Sequence, residues 1–406
     1  MKYLYNFAIS LFGIVVNILA IFNHKLALFV KGRKDTFPKL ISAISPNEKT
    51  IWMHCASLGE FEQGRPLIEV LRRSKPNYKI ILSFYSPSGY EVRKDFKGAD
   101  VVVYLPIDTM SNSRKFIELA HPEIAIFVKY EFWPNILSVL KQKKIKTILV
   151  SGIFREDQLF FKSYGGWMRK SLQSFSHFFL QNKSSKDLLA SIGISNSTVS
   201  GDTRFDRVAK IIEQDNTLPF LEGFVRDKII LVAGSTWPID ESYLVSFINQ
   251  NLDKNLSYII APHNINSKEI QKLKLSLNCK TSVNSEGVPE KDAKVFIIDT
   301  IGILTKVYRY ADIAYIGGGF DKDGVHNVLE PAVFGIPLVI GPVYEKFEEA
   351  TKLVALKACL VGQSETDLHS QFTRLIKSET LRNELGATSK AFIKNHTGAT
   401  EIILDY

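Results

Sequence analysis

Cysteine is scarce: three residues in 406, Cys55, Cys279 and Cys359, far apart in the chain. An odd, scattered set excludes a disulfide framework and any zinc-ligand spacing. It reads as buried, reduced thiols in a reducing compartment. No G-x-x-x-x-G-K-[ST] string occurs, which disfavours a P-loop, and no G-x-S-x-G elbow occurs. Short-period repeats, low-complexity tracts and disordered tails are also missing. Acidic residues are absent from the first 34 positions, which carry Lys2, Lys25, Lys31, Arg33 and Lys34.

What is present is an ordinary globular mixture, 45% hydrophobic and 23% charged, with material for real cores. The length suits two domains. The net charge of +9 favours partners that carry phosphate: nucleic acid, sugar nucleotides or anionic lipid. No recognisable nucleic-acid module accompanies it, so nucleic acid is not an expected partner. The run "YLYNFAISLFGIVVNILAIF", Tyr3 to Phe22, approaches the length of a bilayer crossing. No A-x-A-like cleavage site follows it, so a cleaved signal peptide is not expected. Residues 1–34 are therefore expected to be a membrane anchor, spanning or lying in the interface. Their basic cluster would sit at anionic headgroups, with the body of the protein on the cytoplasmic side. An apolar helix packed on the body is the alternative.

After Lys34, short apolar runs alternate with amphipathic stretches. The runs are 51–55, 79–84, 101–106, 124–129, 146–151 and 177–182, then 229–235, 258–262, 295–299, 313–319 and 337–342. Strand, helix, strand at this spacing predicts parallel sheets covered on both faces. The polar stretch "EQDNTLPFLEG", 213–223, interrupts the alternation. It divides the chain into an expected first domain, 35–215, and second domain, 216–406. Glu379–Tyr406 reads as helix that packs back on the first half. Ligands of open α/β sheets sit at the carboxyl ends of the strands, so with two such domains facing each other the site is expected in the cleft.

Four strings stand in that position. "ADIAYIGGGFDKDGVHNVLEPAVFGIPLVIGP", 311–342, ends a strand in Gly317-Gly318-Gly319 and continues into an expected helix "HNVLEPAVFG". Glycines admit close backbone approach, a helix start offers N–H groups to phosphate, and Glu330, one turn beyond Asn327, can accept from ribose hydroxyls. The bland reading is a glycine turn packing a helix on a sheet. "VAGSTWPIDE", 232–241, places Gly234 and Ser235 before a helix cap that also suits phosphate. "FVKYEFWPN", 127–135, offers Glu131 among aromatics as an acceptor groove, or a helix start at Pro134. "HCASLGEFEQGRPLIEVLR", 54–72, puts Ser57, Gly59 and Glu60 at a strand-to-helix turn. There a carboxylate either serves the helix dipole or acts as a general base, and Arg65 follows on the helix. Asp321-Lys322-Asp323 reads as a solvated turn rather than a metal site. His54, His263 and His326 read as isolated structural residues.

Taken together, "HCASLGEFEQGRPLI", "EFWPN", "SGDTRFD" (200–206), "GST" and "GGGFDKDGVHNVLEPAVFGIPLVIGP" resemble the 3-deoxy-D-manno-octulosonic acid (Kdo) transferases of lipopolysaccharide assembly. The resemblance implies a GT-B architecture, two Rossmann-like domains, with CMP-Kdo as donor and the lipid A precursor (lipid IVA) as acceptor. It implies inversion at the anomeric centre, no metal or other cofactor, and association with the cytoplasmic face of the inner membrane. It implies Glu60 of S-x-G-E as general base. Asn327, Glu330 and glycines 317–319 would serve the nucleotide. Arg65 would meet an acceptor phosphate or the Kdo carboxylate. Many members carry P-R-H, with an arginine that holds the donor, where this chain has "APHNIN", 261–266; either His263 takes part of that role or a basic residue elsewhere does. Three other readings compete: a GT-B transferase using a UDP-sugar, a sugar-nucleotide epimerase, and a non-catalytic membrane-bound binding protein. The strings S-x-G-E and E-x-W-P-N, both present, separate the first from the Kdo transferases. The apolar amino terminus speaks against an epimerase, and an intact Glu60 against a binding protein.

Overall fold

The computed structural model describes residues 2–406; Met1, the first residue of the expected anchor, lies outside the described residues. The chain divides into two compact units. The first runs to Arg207 and takes in His396–Tyr406; the second is Val208–Asn395.

The first unit holds a seven-stranded sheet: β1 (Lys49–Cys55), β2 (Tyr78–Phe84), β3 (Val101–Tyr104), β4 (Pro122–Val128), β5 (Lys146–Gly152), β6 (His177–Leu180) and β7 (Ser197–Val199), in the order β3-β2-β1-β4-β5-β6-β7. Every pairing is parallel. Such strands are buried on both faces, which is why they read as unbroken apolar runs. Ile51, Met53 and Cys55 enter one core with Ile80 and Leu82, while Trp52 enters the opposite core with Ile81.

The second unit repeats the plan with β8 (Ile229–Thr236), β9 (Leu256–Pro262), β10 (Thr281–Val283), β11 (Val295–Ile297), β12 (Ile313–Ile316), β13 (Leu338–Ile340) and β14 (Cys359–Val361), ordered β10-β11-β9-β8-β12-β13-β14. All of these pair in parallel too. The expected doubly wound α/β class is therefore present twice. Strands β7, β10 and β14 have no counterpart among the apolar runs. Each is three residues long and lies at a sheet edge. An edge strand is bonded on one side only, so it needs neither length nor full apolarity.

The unit boundary falls after Arg207, not near 215, and the last eleven residues leave the second unit. Asp206 explains both. Its carboxylate accepts from the amides of Gly398 and Thr400 and from the Thr400 hydroxyl, each at 2.6 Å. Ile403 then packs into the first unit's core. The expected single helix over 379–406 is two, Glu379–Asn395 and Ala399–Leu404, with Gly398 in the left-handed region between them (φ 109°).

The amino-terminal segment forms three helices, Lys2–Leu19, His24–Lys34 and Thr36–Ala43. Among the described residues no single helix is long and apolar enough to cross a membrane; Tyr3–Leu19 qualifies only jointly with His24–Ala43, across a bend of 120°. Tyr5 donates to Asp108 (2.8 Å), and Asn135 Nδ2 donates to Asn6 Oδ1 (2.7 Å), fixing one side of the first helix to the unit. Tyr3, Leu4, Phe7, Leu11, Ile14 and Ile18 remain exposed. Arg33, expected at headgroups with the basic cluster, is instead held inside. Its guanidinium stacks on Phe29 and donates to the carbonyls of Phe29 and Tyr85. Burial lowers its pKa to about 10.

Candidate active site

Strand order reverses between β1 and β4 in the first sheet and between β8 and β12 in the second. At such switch points the loops leaving adjacent strands diverge and open a crevice beyond their carboxyl ends. The residues flagged in the sequence leave these four strands and β9, the neighbour of β8.

β1 ends at Cys55 and passes into the helix Leu58–Ser74. Glu60 is buried, 5% exposed, and sits in the first turn. Its Oε2 accepts from the Ser57 amide (3.0 Å) and from the Ser57 hydroxyl. The helix-capping role is therefore real, as the dipole reading expects. The capping uses one oxygen; Oε1 has no partner among the described residues. A Cβ on Gly59 would meet only the Ser57 hydroxyl, at 3.8 Å, so nothing within the chain demands a glycine there.

β4 delivers Glu131, 8% exposed, to the same switch point. A relay of side chains fixes it: Trp52 Nε1 donates to Ser83 Oγ (2.8 Å), Ser83 Oγ meets His54 Nδ1 (2.9 Å), His54 Nε2 meets Glu131 Oε2 (3.3 Å), and Trp133 Nε1 donates to that oxygen (2.7 Å). His54 is thus not isolated; it holds Glu131 in place. Burial and then the Glu60 and Glu131 charges raise the Tyr130 pKa, so the two carboxylates and this phenol share one neighbourhood. Arg65 is not brought to this group. Its Nε is paired with Glu69 one turn along the helix (2.6 Å).

In the second unit β8 ends in a bulge at Ser235, whose φ is 55°. Gly234 is required by packing, since a Cβ there would overlap the Tyr308 hydroxyl at 2.0 Å. The next helix, Pro238–Gln250, is capped as expected: the Trp237 amide donates to Asp240 Oδ2 (2.8 Å). Asp240 is fully buried and also accepts from the Gly318 amide (2.9 Å) and the Tyr315 hydroxyl (2.5 Å). Burial raises its pKa against these three donors.

That arrangement corrects the expectation for the glycine triplet. Gly317 gives its amide to Gly234 O, and Gly318 gives its amide to Asp240. Cβ atoms on Gly317 and Gly319 would collide with the backbones of Ser235 (2.4 Å) and Gly341 (2.6 Å). Two of the three amides are therefore engaged, and two of the three glycines are needed because strand ends cross closely. The following helix is also shorter than expected, Leu329–Val333 rather than 326–335. Pro331 supplies no N–H and Gly335 turns the chain with φ 76°. Asn327 and Glu330 do come together: Asn327 Nδ2 and Thr305 Oγ1 donate to the two Glu330 oxygens (3.1 and 2.7 Å), while Asn327 Oδ1 accepts from the Leu329 amide. Asp321 and Asp323 fold as the expected turn, with the Asp323 amide reaching Asp321 Oδ1.

His263, His326 and Trp237 are a cluster that spacing in sequence hides. His263 stacks on Trp237 (4.8 Å, 16°) and on His326 (4.4 Å, 26°). Trp237 Nε1 donates to His326 Nε2 (2.8 Å). Accepting there requires a neutral ring with its proton on Nδ1. Burial, and then the adjacent His263, lower the His326 pKa to about 4, and burial lowers that of His263. Unfolded histidine takes its proton near pH 6.5. Between pH 6.5 and about 4 the unfolded chain therefore binds more protons, and stability falls as pH falls. After discounting for partial exposure the loss should be about 1–2 kcal/mol by pH 4. Thermal unfolding of wild type and His326→Asn at pH 7 and pH 4.5 checks this; the fall should be smaller in the variant.

Two doubly wound parallel sheets with polar groups gathered at both switch points define a GT-B-like class of fold. The UDP-GlcNAc 2-epimerase from Neisseria meningitidis, solved bound to UDP-GlcNAc, superposes with a TM-score of 0.61 at 13% identity, over 88% of this chain and 98% of that one. MurG from Acinetobacter baumannii superposes at 0.53 and 12%, over 88% and 98%. At these identities the likeness is one of fold.

A second likeness is one of sequence. Residues 30–207 match the family described as 3-deoxy-D-manno-octulosonic-acid transferase (kdotransferase). The chain is 26% identical over 388 residues to the 3-deoxy-D-manno-octulosonic acid transferase of Rickettsia prowazekii, covering 92% of this chain and 82% of that protein. It is 27% identical over 353 residues to that of Aquifex aeolicus, covering 84% and 90%. The resemblance carried by the motifs thus extends over most of the chain.

Proposed function

We propose that this protein is an inverting glycosyltransferase that moves Kdo from CMP-Kdo to the lipid A precursor at the cytoplasmic face of the inner membrane. The observation that carries the reading is Glu60: a buried carboxylate at a switch point, with one oxygen committed to the helix cap and the other without a partner. In this reading Oε1 accepts the proton of an acceptor hydroxyl. The hydroxyl oxygen bonds to the anomeric carbon of Kdo as the bond from that carbon to the CMP phosphate oxygen breaks, its electron pair leaving with CMP. A single displacement inverts the centre. Ser57, Gly59 and Glu131 border the acceptor, with the room at Gly59 left for it. Ser235, His263, Asn327 and Glu330 border the donor, with Glu330 facing the ribose and the exposed His263 ring facing the phosphate. Arg65 reaches substrate only by releasing Glu69. The transfer uses no metal or cofactor, as the family resemblance implies.

The helix Lys2–Leu19 lies in the membrane interface, its exposed apolar side chains in the acyl boundary and Lys25, Lys31 and Lys34 near anionic headgroups. Its length and the bend that follows support lying over spanning.

The test is transfer in detergent, with CMP-Kdo generated in place and a tetraacylated lipid A precursor, read by mass spectrometry. The expected product is heavier by one or more Kdo units. A folded, CMP-binding chain that gives no lipid product overturns the acceptor assignment, and product from a UDP-sugar instead overturns the donor.

A further inference from the structure

Glu131 is held by two donors that come from different places. His54 belongs to β1 and is fixed by the sheet. Trp133 lies on the loop that joins β4 to the helix Pro134–Gln142. Among the described residues the amides of residues 130–133 make no backbone hydrogen bond, so this loop depends on its side chains for its place. Phe132 packs on Phe154, Phe160 and Phe175. The other supports come from the amino-terminal helices, by two routes.

The first route is a helix cap supplied from a distance. The helix Pro134–Gln142 has no side-chain cap of its own at Trp133. Instead Asp108, 2% exposed, accepts from the amides of Asn135 and Ile136 (both 2.9 Å), two of the donors that a helix start leaves free. Tyr5, on the first helix, donates its hydroxyl to the same carboxylate (2.8 Å), and Asn6 accepts from Asn135 Nδ2 (2.7 Å). The second route is aromatic. Phe12, again on the first helix, stands edge-on to Phe29 (6.3 Å, 90°), and Phe29 edge-on to Tyr85 (5.4 Å, 79°). Arg33 fastens Tyr85 by its carbonyl (2.7 Å). The Tyr85 ring lies 4.5 Å from that of Trp133, tilted by 30°. The two routes converge on Trp133, whose Nε1 reaches Glu131 Oε2. His54 reaches the same oxygen, which leaves Oε1 for substrate. We infer that Tyr5 and Arg33 are positioning residues for Glu131, and that the amino-terminal helices are part of the acceptor site as well as a membrane attachment. The role of Glu131 rests on the proposed reaction; its support by these helices does not.

The experiment uses the full chain in detergent, labelled with 5-fluorotryptophan and read by fluorine NMR. The four tryptophans give four signals, and Trp133→Phe assigns the one in question. Tyr5→Phe removes a single oxygen. Arg33→Lys keeps the charge but not the flat fork that stacks and donates at once. Each should shift the Trp133 signal and leave that of Trp237, in the second unit, in place. The ring that Tyr5 meets is Trp167, so a shift at Trp133 in Tyr5→Phe has travelled through Asp108. In the transfer assay each variant should lower kcat about tenfold with KM for CMP-Kdo unchanged, less than the roughly hundredfold cost of a misplacement of about 1 Å. Leu4→Ser/Phe7→Ser, at exposed positions of the first helix, should weaken binding to phosphatidylglycerol vesicles and leave the Trp133 signal alone. A Trp133 signal unmoved by one of the two variants would overturn the role of that residue; unmoved by both, it would leave the helices as an attachment only. A Trp133 signal moved equally by Leu4→Ser/Phe7→Ser would overturn the inference too, since any disturbance of the first helix would then do the same. The NMR readings need no Kdo transfer, so a wild type that transfers none defeats the proposed function while the Trp133 signal still decides this inference.

Discussion

Glu60→Gln should lower the rate of Kdo transfer by roughly a hundred- to ten-thousandfold, the range for loss of a positioned general base, and leave thermal stability nearly unchanged. The second half of this expectation comes from the cap. Glutamine serves the third helical position almost as well as glutamate, because its amide oxygen can accept from the Ser57 amide just as Oε2 does. What glutamine cannot do is take a proton at the other atom. Glu60→Ala removes both functions and should lose about 1 kcal/mol of stability in addition to the activity. Parallel measurement of product formation and melting temperature for the two variants separates base from cap. An active, stable glutamine variant would remove Glu60 from the chemistry and leave it as the helix cap alone. A glutamine variant that loses rate and stability together would point to the cap as the reason for its presence.

The largest effect on stability is expected at Asp240. Its carboxylate, fully buried, receives the Tyr315 hydroxyl and the amides of Gly318 and Trp237. Asp240→Ala leaves three buried donors without an acceptor. At 1–3 kcal/mol for each unsatisfied group, partly relieved by water entering the vacated volume, the cost should be about 3–5 kcal/mol. For a unit of this size that lowers the unfolding temperature by roughly 10 °C. Asp240→Asn should cost less, because its carbonyl oxygen still accepts both amides and its amide group can donate to the Tyr315 oxygen. Calorimetry should show the shift confined to the second unit's transition. Since the lost acceptor also pins the Gly318 turn, the CMP binding proposed above should weaken in step.

The sequence by itself determined the class of fold. Eleven of the apolar runs are strands, because a parallel strand buried on both faces has to be apolar along its length. It also placed Glu60, Glu131 and the Asn327–Glu330 pair beyond the carboxyl ends of β1, β4 and β12, beside the two switch points, since that placement depends only on connectivity. The short edge strands β7, β10 and β14 escaped, as their single line of partners leaves no pattern to read.

Tertiary structure alone decided the rest, and in each case the reason is a contact between residues far apart in the chain. Asp206 captures Gly398 and Thr400 and so carries the tail into the first unit. His54 looks solitary until Glu131 arrives beside it, 77 positions later. Trp237, His263 and His326 become one stack because β8, β9 and β12 are neighbours in the sheet. The roles of the glycines changed for the same reason: Gly317 and Gly319 look like room for a ligand in the sequence, but the crossing backbones of Ser235 and Gly341 occupy that room. Periodicity records what a residue is buried against in general; only the folded backbone brings particular donors to particular acceptors.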